Sequence, residues 1–298
     1  MKKRNQGIKR IAGTYSEFIF CEMKSFFLRS KIVKYHEDAD HEDIKTVVQT
    51  IRRSLRLSVF PYEFTKKYAA MDVEVYKDPS CGLLYVMDMG KKLYFKKKYF
   101  TPVLVRRYYR NLCMEQDKES PHCYLTDEFK PNSRSVIFDI GTAEGIFALR
   151  TIDSADKTYC FECDPDWVEA LKMTFAPYPD KIVIIQKFVT DHTSGQCITL
   201  NDFAKEMQTT GRSCFIKMDI EGSEMPALSW SDKLLNNFDE VMMAVCTYHC
   251  ADDERRIREA FDKYTITPSK GYMVYYYDFH LAAPYLRRGL LRIQKCSR

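Results

Sequence analysis

The strongest constraint on the fold is a regular alternation of strand and helix patterns that begins at about residue 134. Short apolar runs, each of the length of a buried strand, read "SVIFDIG", "TYCFECD", "KIVIIQKFV", "CFIKMDI" and "EVMMAVCTYH". Between them lie stretches with helical spacing, such as "PDWVEALKMTF", "LNDFAKEMQ" and "ADDERRIREAFDKY". Short buried strands separated by helices indicate βαβ units, so we predict an α/β fold around a mostly parallel sheet.

The end of the chain breaks this alternation. "GYMVYYYDF" and "GLLRIQK" are apolar runs joined by a short connection without a helix. Adjacent strands connected in this way usually pair antiparallel. We therefore predict that these two strands pair antiparallel with each other.

The residues before the alternation show other periods. "EDIKTVVQTIRRSLRL" repeats apolar residues on one face of a helix, and residues 72–100 read as a β-hairpin with Gly90 between two aromatic-rich runs. Thr101 and Pro102 suit the N-cap and first turn of a following helix. We therefore divide the chain into an N-terminal helical and hairpin extension, residues 1–130, and an α/β domain, residues 131–298.

Composition and charge narrow the class of protein. Hydrophobic residues make up 45% of the chain and aromatic residues 14%, which is enough for a substantial core. The net charge is +5, with Lys and Arg concentrated in the first 110 residues and in "YLRRGLLRIQK". Such runs are typical of a solvated surface, and the alternative is attraction to an acidic substrate or an anionic membrane face. Because no nucleic-acid-reading motif accompanies the charge, we predict no nucleic-acid partner.

The cysteines and the apolar runs bear on localisation. Cys160 and Cys163 form a C-x-x-C, but the predicted sheet places them about 14 Å from Cys246, His249 and Cys250, too far for a shared zinc site. We expect a reduced, cytoplasmic protein. "IAGTYSEFIF" is too polar for a signal-peptide core, and no apolar run reaches the length that spans a bilayer.

Ligands bind open α/β sheets at the carboxyl ends of the strands, and the first predicted strand ends in "DIGTAEG". Gly141 permits a tight turn close to a ligand, Gly145 allows the next helix to pack closely, and we predict both as cofactor-binding residues. A pyrophosphate loop would carry a third glycine, whereas Asp139 and Glu144 add negative charge here. This favours a cofactor with a positive charge or an amino group, such as S-adenosyl-L-methionine (SAM); an ordinary βα turn is the alternative.

Acidic residues also follow the second and third strands. Glu162 lies 21 residues after Gly141, the distance at which an acid accepts hydrogen bonds from ribose hydroxyls. Alternatively, Glu162 is an exposed carboxylate in a turn, without a role in binding. Asp191, after the third strand, is predicted to lie beside an adenine ring.

The fourth and fifth strands bring the reactive groups. "FIKMDIEGSE" carries Asp219, Glu221 and Glu224 to a strand end, where burial of charge is costly unless the charge is paired or used. His249 ends the fifth strand and is predicted to reach the same cleft as a neutral base. Asp219 or Glu221 would orient it, hold an acceptor hydroxyl or bind the ammonium of the cofactor. The acids and the histidine could instead ligate a divalent cation, but we include no metal in the predicted site.

Four motifs together resemble the FkbM family of SAM-dependent methyltransferases: "VIFDIGTAEGIFALR", "YCFECDPDWVEAL", "FIKMDIEGSEMPAL" and "AVCTYH". The resemblance covers roughly residues 134–265, and its most specific part is the string from Lys217 to Glu224. It implies a class I methyltransferase fold of seven strands, the last inserted antiparallel. It also implies O-methylation, commonly of a sugar or natural-product hydroxyl, and hence a small-molecule or glycan acceptor.

The resemblance transfers functional roles to six positions: Asp139, Gly141 and Glu162 as cofactor contacts, and Asp219, Glu221 and His249 in the reaction cleft. Thr142-Ala143-Glu144 departs from the Ala-Asn-x-Gly common in the family, which leaves open whether Glu144 touches the cofactor or caps the helix.

Three further questions remain open from the sequence. Residues 114–124, "MEQDKESPHCY", are either a lid or acceptor-binding element or a linker. Residues 1–65 either shape the acceptor site or mediate self-association into a homo-oligomer. A SAM-dependent O-methyltransferase is the main hypothesis, and a non-catalytic nucleoside-binding or scaffolding protein on the same fold is the alternative. The sequence contains neither the G-x-G-x-x-G motif of a nucleotide-dependent oxidoreductase nor the G-x-S-x-G motif of a serine hydrolase, which disfavours both classes.

Overall fold

A computed structural model describes residues 26–133, 135–207, 211–278 and 280–295. Residues 1–25, with the basic N-terminus and "IAGTYSEFIF", lie outside the described residues. The described part of the extension begins with helix α1 (residues 26–35) and continues with α2 Glu42–Arg53, a 3-10 turn Glu63–Thr65, α3 Lys66–Ala69, β1 Tyr76–Lys77, β2 Leu84–Asp88, β3 Lys91–Tyr94 and α4 Pro102–Glu115.

The extension contains the helix, the hairpin and the helix cap that its sequence predicts. Helix α2 buries Val47, Val48 and Ile51, the apolar face that the spacing predicts. Strands β1, β2 and β3 form an antiparallel sheet, and β2 and β3 are joined at Gly90, whose φ is +79°. The side chain of Thr101 accepts a hydrogen bond from the backbone N–H of Leu104, so it caps α4 as predicted.

The α/β domain is built on a seven-stranded sheet with helices between the strands. In chain order the elements are β4 Ser135–Ile140, α5 Ile146–Thr151, β5 Ala155–Phe161, α6 Pro165–Phe175, β6 Ile182–Ile185, β7 Phe188–Val189, β8 Cys197–Ile198, α7 Leu200–Glu206, β9 Gly211–Met218, α8 Glu224–Leu228, α9 Asp232–Asn236, β10 Phe238–Cys246, α10 Asp253–Ala260, β11 Thr265–Pro268 and β12 Leu290–Lys295. The short strands β7 and β8 pair with each other in a separate two-stranded ribbon.

The strand order of the large sheet is β11-β12-β10-β9-β4-β5-β6. Strand β12 pairs antiparallel with both β10 and β11, and the other neighbouring pairs are parallel. All six residues of β4 are buried, because helices cover both faces of the sheet centre. The chain order reverses between β4 and β9, so their carboxyl ends open the crevice where α/β proteins bind ligands.

The prediction for the end of the chain is right about β12 and wrong about its partner. The segment "GYMVYYYDF" contributes only an isolated bridge between Met273 and Arg287 within its described residues, and β11 pairs with β12 instead. Val274 is fully buried in a cluster with Leu28 and Ile32. This apolar run therefore packs between the helices of the extension and the sheet, and it does not extend the sheet as a strand.

Among the described residues, no helix combines the length and the apolar character that crossing a membrane requires.

Candidate functional site

A cavity of about 280 Å³, which we call the nucleoside cavity, opens at the carboxyl ends of β4, β5 and β9. Its lining includes Gly141 after β4, Glu162 after β5 and Asp219 after β9. The structure thus brings together in one hollow the three positions that the sequence places at separate strand ends. Apolar side chains, including Phe161, Val189 and Ile220, complete much of the wall.

A glycine is required at position 141 because the loops after β4 and β9 approach each other closely there. Its φ is +76°, and a Cβ atom there would lie 1.9 Å from the backbone carbonyl oxygen of Asp219. Gly145 has φ +87°, but its added Cβ would meet Leu171 and Phe175 of α6. It does not line the nucleoside cavity, so its predicted packing role is supported and its predicted cofactor contact is not.

Glu162 is largely buried and ties the first loop to the start of α6. Its Oε2 accepts a hydrogen bond from the N–H of Ala143 at 2.8 Å, and its Oε1 accepts one from the N–H of Asp164 at 2.7 Å. Each carboxylate oxygen has a second lone pair, so these bonds leave Glu162 able to accept from a ligand in the cavity that it lines.

Asp191 lies away from the nucleoside cavity, contrary to its predicted place beside an adenine ring. Val189, the last residue of β7, lines that cavity, but Asp191 does not. Its exposed carboxylate lies 2.9 Å from Nδ1 of His192. The chain turns outward once β7 ends, which the sequence pattern does not show.

A second cavity of about 240 Å³, which we call the acceptor cavity, adjoins the first. Gly141, Ala143, Asp219 and Glu221 line both. The extension provides much of the remaining wall, through α4 and the segment that follows it: Tyr108, Leu112, Glu115, Gln116 and Tyr124. The polar residues 114–124 are therefore part of the cleft and more than a connection.

Asp219 lies at the centre of a hydrogen-bond network. Its Oδ2 accepts from the hydroxyl of Tyr124 at 2.8 Å, and its Oδ1 accepts from Tyr248 at 3.2 Å. Nε2 of His122 lies 3.4 Å from Oδ2. Burial alone would raise the pKa of Asp219, but His122 and the ammonium of Lys217 outweigh it and hold the pKa well below its usual range. Asp219 is thus a fixed, ionised carboxylate.

Sequence reasoning left His122 and Tyr124 in a segment of open role and missed Tyr248 altogether. The only signal for Tyr248 is its place next to His249 at the end of the fifth strand.

Asp139 lies beneath the first loop and lines neither cavity. It is fully buried, and its Oδ1 lies 3.1 Å from Nζ of Lys217, which also donates to the carbonyl oxygen of Gly141. Burial raises the pKa of Asp139, and Lys217 opposes that shift. The predicted direct cofactor contact is therefore replaced by an indirect one, in which the Asp139–Lys217 pair fixes the loop that carries Gly141.

His249 faces the carboxylates as predicted, but it is buried and lines neither cavity. Its Nδ1 lies 2.9 Å from Oε1 of Glu224, and its Nε2 lies 3.5 Å from carboxylate oxygens of Asp219 and Glu221. Burial would lower the pKa of His249, but the three carboxylates outweigh burial and raise it. The carboxylates thus stabilise the charged form of the ring relative to the neutral form that the predicted base requires.

The other two acids of "FIKMDIEGSE" divide into one structural and one exposed group. Glu224 accepts hydrogen bonds from the N–H groups of Ile220 and Gly222, both at 2.9 Å, and so shapes the loop after β9. Glu221 has an exposed side chain, lines both cavities and accepts from Tyr275 at 3.3 Å. Its predicted place in the cleft is supported.

Two sets of side chains lie close enough to share one metal ion. Within the described part of the chain they are His122 with Asp219 and Cys246, and Asp219 with Glu224 and His249. Neither set includes Cys160 or Cys163.

Glu144 is a buried wall residue of the acceptor cavity. The N-cap of α5 is Gly145, so Glu144 does not cap that helix. Its Oε2 accepts from the hydroxyl of Tyr108 at 3.1 Å. Burial raises the pKa of Glu144 to about 7, so this carboxyl group can exchange a proton near neutral pH.

We expect this raised pKa to make the protein less stable as the pH rises. Between the ordinary pKa of 4.5 and about 7, the folded state binds the Glu144 proton more tightly than the unfolded state. The free energy of unfolding therefore falls across this window, by up to about 3 kcal/mol from this group. Glu144→Gln should remove that part of the pH dependence, as measured by denaturant unfolding at several pH values. Parallel curves for the variant and the wild type would contradict the assignment.

The strand order, with antiparallel β12 inserted between β10 and β11, and the cavity at the carboxyl ends of β4 and β9 define a class I methyltransferase fold. Residues 140–272 match the family model of the methyltransferase FkbM domain, in agreement with the resemblance of the sequence motifs. The cofactor of the protein is SAM, as predicted. No curated protein is significantly similar in sequence.

Solved structures with a similar fold include several methylases. An rRNA methylase from Streptococcus thermophilus is 8% identical, with a TM-score of 0.36 over 56% of this chain and 89% of that chain. A Streptococcus mutans protein assigned as a methyltransferase, solved in complex with SAH, is 12% identical, with a TM-score of 0.39 over 55% and 90%. Trm5b from Pyrococcus abyssi is 13% identical, with a TM-score of 0.36 over 74% and 62%.

Proposed function

We propose that the protein transfers the methyl group of SAM to a hydroxyl group of a sugar, a glycan or a secondary metabolite. The observation that carries the proposal is the wall shared by the two cavities, formed by Gly141, Ala143, Asp219 and Glu221. A ligand that fills the nucleoside cavity reaches this wall, and an acceptor meets it from the other side.

The nucleoside cavity fits the cofactor. Glu162 offers carboxylate lone pairs to the ribose hydroxyls, and Phe161, Val189 and Ile220 offer apolar surface to the base. A side chain at Gly141 would collide with the backbone of Asp219, so the two loops that line the cavity can approach closely only with glycine there. When bound, SAM would supply a methyl group on a sulfonium, with the neutral thioether of S-adenosylhomocysteine as the leaving group. The acidic wall of Asp219 and Glu221 suits that positive charge.

The side chains of the acceptor cavity suit the alignment and deprotonation of a hydroxyl. Asp219, held by Tyr124 and Tyr248, is placed to accept a hydrogen bond from the acceptor and fix its direction. Its low pKa makes it a weak base, whereas the pKa of Glu144 near 7 suits proton removal at neutral pH. We therefore assign orientation to Asp219 and proton acceptance to Glu144, and place His249 behind them as a positioning residue.

Acceptor choice would depend on the extension, residues 1–130. Tyr108, Leu112 and Glu115 project from α4 into the acceptor cavity, and Tyr124 from the segment after it. This supports an acceptor-binding role for that part of the extension, beside the α/β domain that binds SAM.

Calorimetric titration with SAM tests the cofactor site. We expect the wild type to bind SAM and Glu162→Ala to bind it at least about tenfold more weakly, because two charge-assisted hydrogen bonds to the ribose are lost. Glu169→Ala is the matched control, since Glu169 is an exposed acid on α6 that pairs with Lys97. Equal affinity of the two variants would refute the assignment of Glu162.

Methyl transfer itself is tested by incubating radiolabelled SAM with a panel of sugars, glycans and phenolic or polyketide alcohols. Label in a base-stable ether product supports O-methylation. SAM binding without transfer to any acceptor would instead support the alternative, a non-catalytic SAM-binding protein on this fold.

A further inference from the structure

The cavity with the largest volume among those described, about 660 Å³, lies in the extension and takes no part in the methyl-transfer site. Helix α4 separates it from the acceptor cavity. Arg107, Arg110 and Met114 lie on one face of α4 and line this cavity, whereas Leu112 and Glu115 lie on the other face and line the acceptor cavity. We call this third hollow the arginine cavity.

Its lining carries three positive charges and no acidic residue. The full lining is Ser58, Thr65, Tyr68, Ala69, Val103, Arg106, Arg107, Arg110, Asn111 and Met114. Among the residues that the structure describes, no carboxylate forms an ion pair with any of the three arginines. Glu115, the nearest acid along the chain, lines the acceptor cavity instead, and Asp117 is already engaged by Lys67 and by the hydroxyl of Tyr68. The positive charge of the cavity is therefore not neutralised by its own wall.

Two of the arginines are held in place through the nitrogen nearest the chain. Nε of Arg106 donates to the carbonyl oxygen of Val73 at 2.8 Å, and Nε of Arg110 donates to that of Met71 at 2.7 Å. These bonds fix each guanidinium while leaving its terminal N–H groups available. A side chain that is already restricted before binding loses less conformational entropy when a ligand binds.

Neutral donors accompany the charges. Oγ of Ser58 accepts a hydrogen bond from the N–H of Phe60, so its own proton is free to be donated. The amide of Asn111 adds two donor hydrogens. A planar guanidinium matches the oxygens of a phosphate group in two parallel hydrogen bonds, and a cavity of this volume suits a small molecule.

From these contacts we propose that the arginine cavity is a binding site for the phosphate group of a phosphorylated small molecule. The site goes beyond the proposed methyl transfer, because it lies on the opposite face of α4 and needs no SAM. The phosphate could belong to a soluble metabolite or to a lipid headgroup, since Phe100 and Val103 expose apolar surface at the start of the same helix.

Calorimetry with inorganic phosphate, pyrophosphate and glycerol phosphate, at low and high salt, tests the site in solution. Co-sedimentation with phosphatidylcholine vesicles, with and without phosphatidic acid, tests the lipid source. Binding of a soluble probe assigns a metabolite, and binding only to phosphatidic acid vesicles assigns a headgroup. Either binding should weaken with salt. If no probe binds in either form, the proposal is wrong.

Arg107→Gln is the decisive variant, because Arg107 is exposed and its loss should leave the fold intact. We expect it to weaken phosphate binding at least about tenfold, since a charge-assisted bidentate contact is lost. Arg107→Lys keeps the charge but loses the planar pair of N–H donors. Its phosphate affinity should therefore lie between that of Arg107→Gln and that of the wild type.

The matched control is Arg53→Gln, an equal change of charge at an exposed residue of α2 outside the cavity. Equal phosphate affinity of Arg107→Gln and Arg53→Gln would overturn the proposal, because binding would then reflect only the net charge. SAM affinity of all three variants should equal that of the wild type, which separates this test from that of the cofactor site.

Discussion

Replacing Gly141 with alanine is expected to abolish SAM binding and to lower the free energy of unfolding by at least about 3 kcal/mol. The backbone there has φ +76°, which costs an L residue about 1–2 kcal/mol. The added Cβ would also lie 1.9 Å from the carbonyl oxygen of Asp219. Because that atom belongs to the backbone, the ends of β4 and β9 would have to move apart.

Gly82→Ala separates the conformational cost of a positive φ from the cost of the collision with Asp219. Gly82 has nearly the same φ, +75°, and an added Cβ there would meet no atom within 4 Å. We expect it to lose only the conformational part, about 1–2 kcal/mol, and to bind SAM normally. Denaturant unfolding and SAM calorimetry on both variants give the comparison. If Gly141→Ala is no less stable than Gly82→Ala and still binds SAM, the close approach of the two loops is not what the site needs.

Asp219→Asn is expected to reduce kcat for methyl transfer by about 10²-fold while leaving the fold in place. The amide has the same shape but no charge, and its nitrogen cannot accept the hydrogen bonds that Tyr124 or the acceptor hydroxyl donates. Orientation of the acceptor would be lost more than its binding, so KM should change less than kcat. The measurement is steady-state transfer to whichever acceptor of the panel the wild type methylates.

Asp202→Asn provides the control for that substitution. Asp202 is an acid of α7, paired with Lys205 and remote from both cavities. Its kcat should equal that of the wild type. A kcat for Asp219→Asn within about twofold of this control would show that Asp219 does not orient the acceptor.

The sequence predicted the strands and their shared edge well, because these follow from local rules. Buried parallel strands must be continuous apolar runs, and their carboxyl ends must meet at one edge of the sheet. Gly141, Glu162 and Asp219 could therefore be placed in one hollow before their distances were known. The motif around Asp219 was specific enough to indicate the methyltransferase family.

The roles of individual side chains were harder to predict, because they depend on small differences of direction. Asp191 follows a strand as Glu162 does, yet the chain turns it into solvent. His249 follows β10 by three residues, but Tyr248 occupies the cavity wall and His249 does not line it. A shift of one residue along the chain decides which of two neighbouring side chains faces a ligand. The periodic pattern of a strand does not continue into the loop, so the sequence does not show which neighbour it is.

The sequence by itself determined the α/β sheet, the antiparallel last strand and the cluster of acids at the carboxyl ends of the strands, since periodicity and spacing encode them locally. Only the tertiary structure decided that α4 forms the wall of the acceptor cavity, that Asp139 pairs with Lys217, and that Glu144 keeps a proton near pH 7. These properties arise from burial and from contacts between segments far apart in the chain, and neither is set by the residues next to them in sequence.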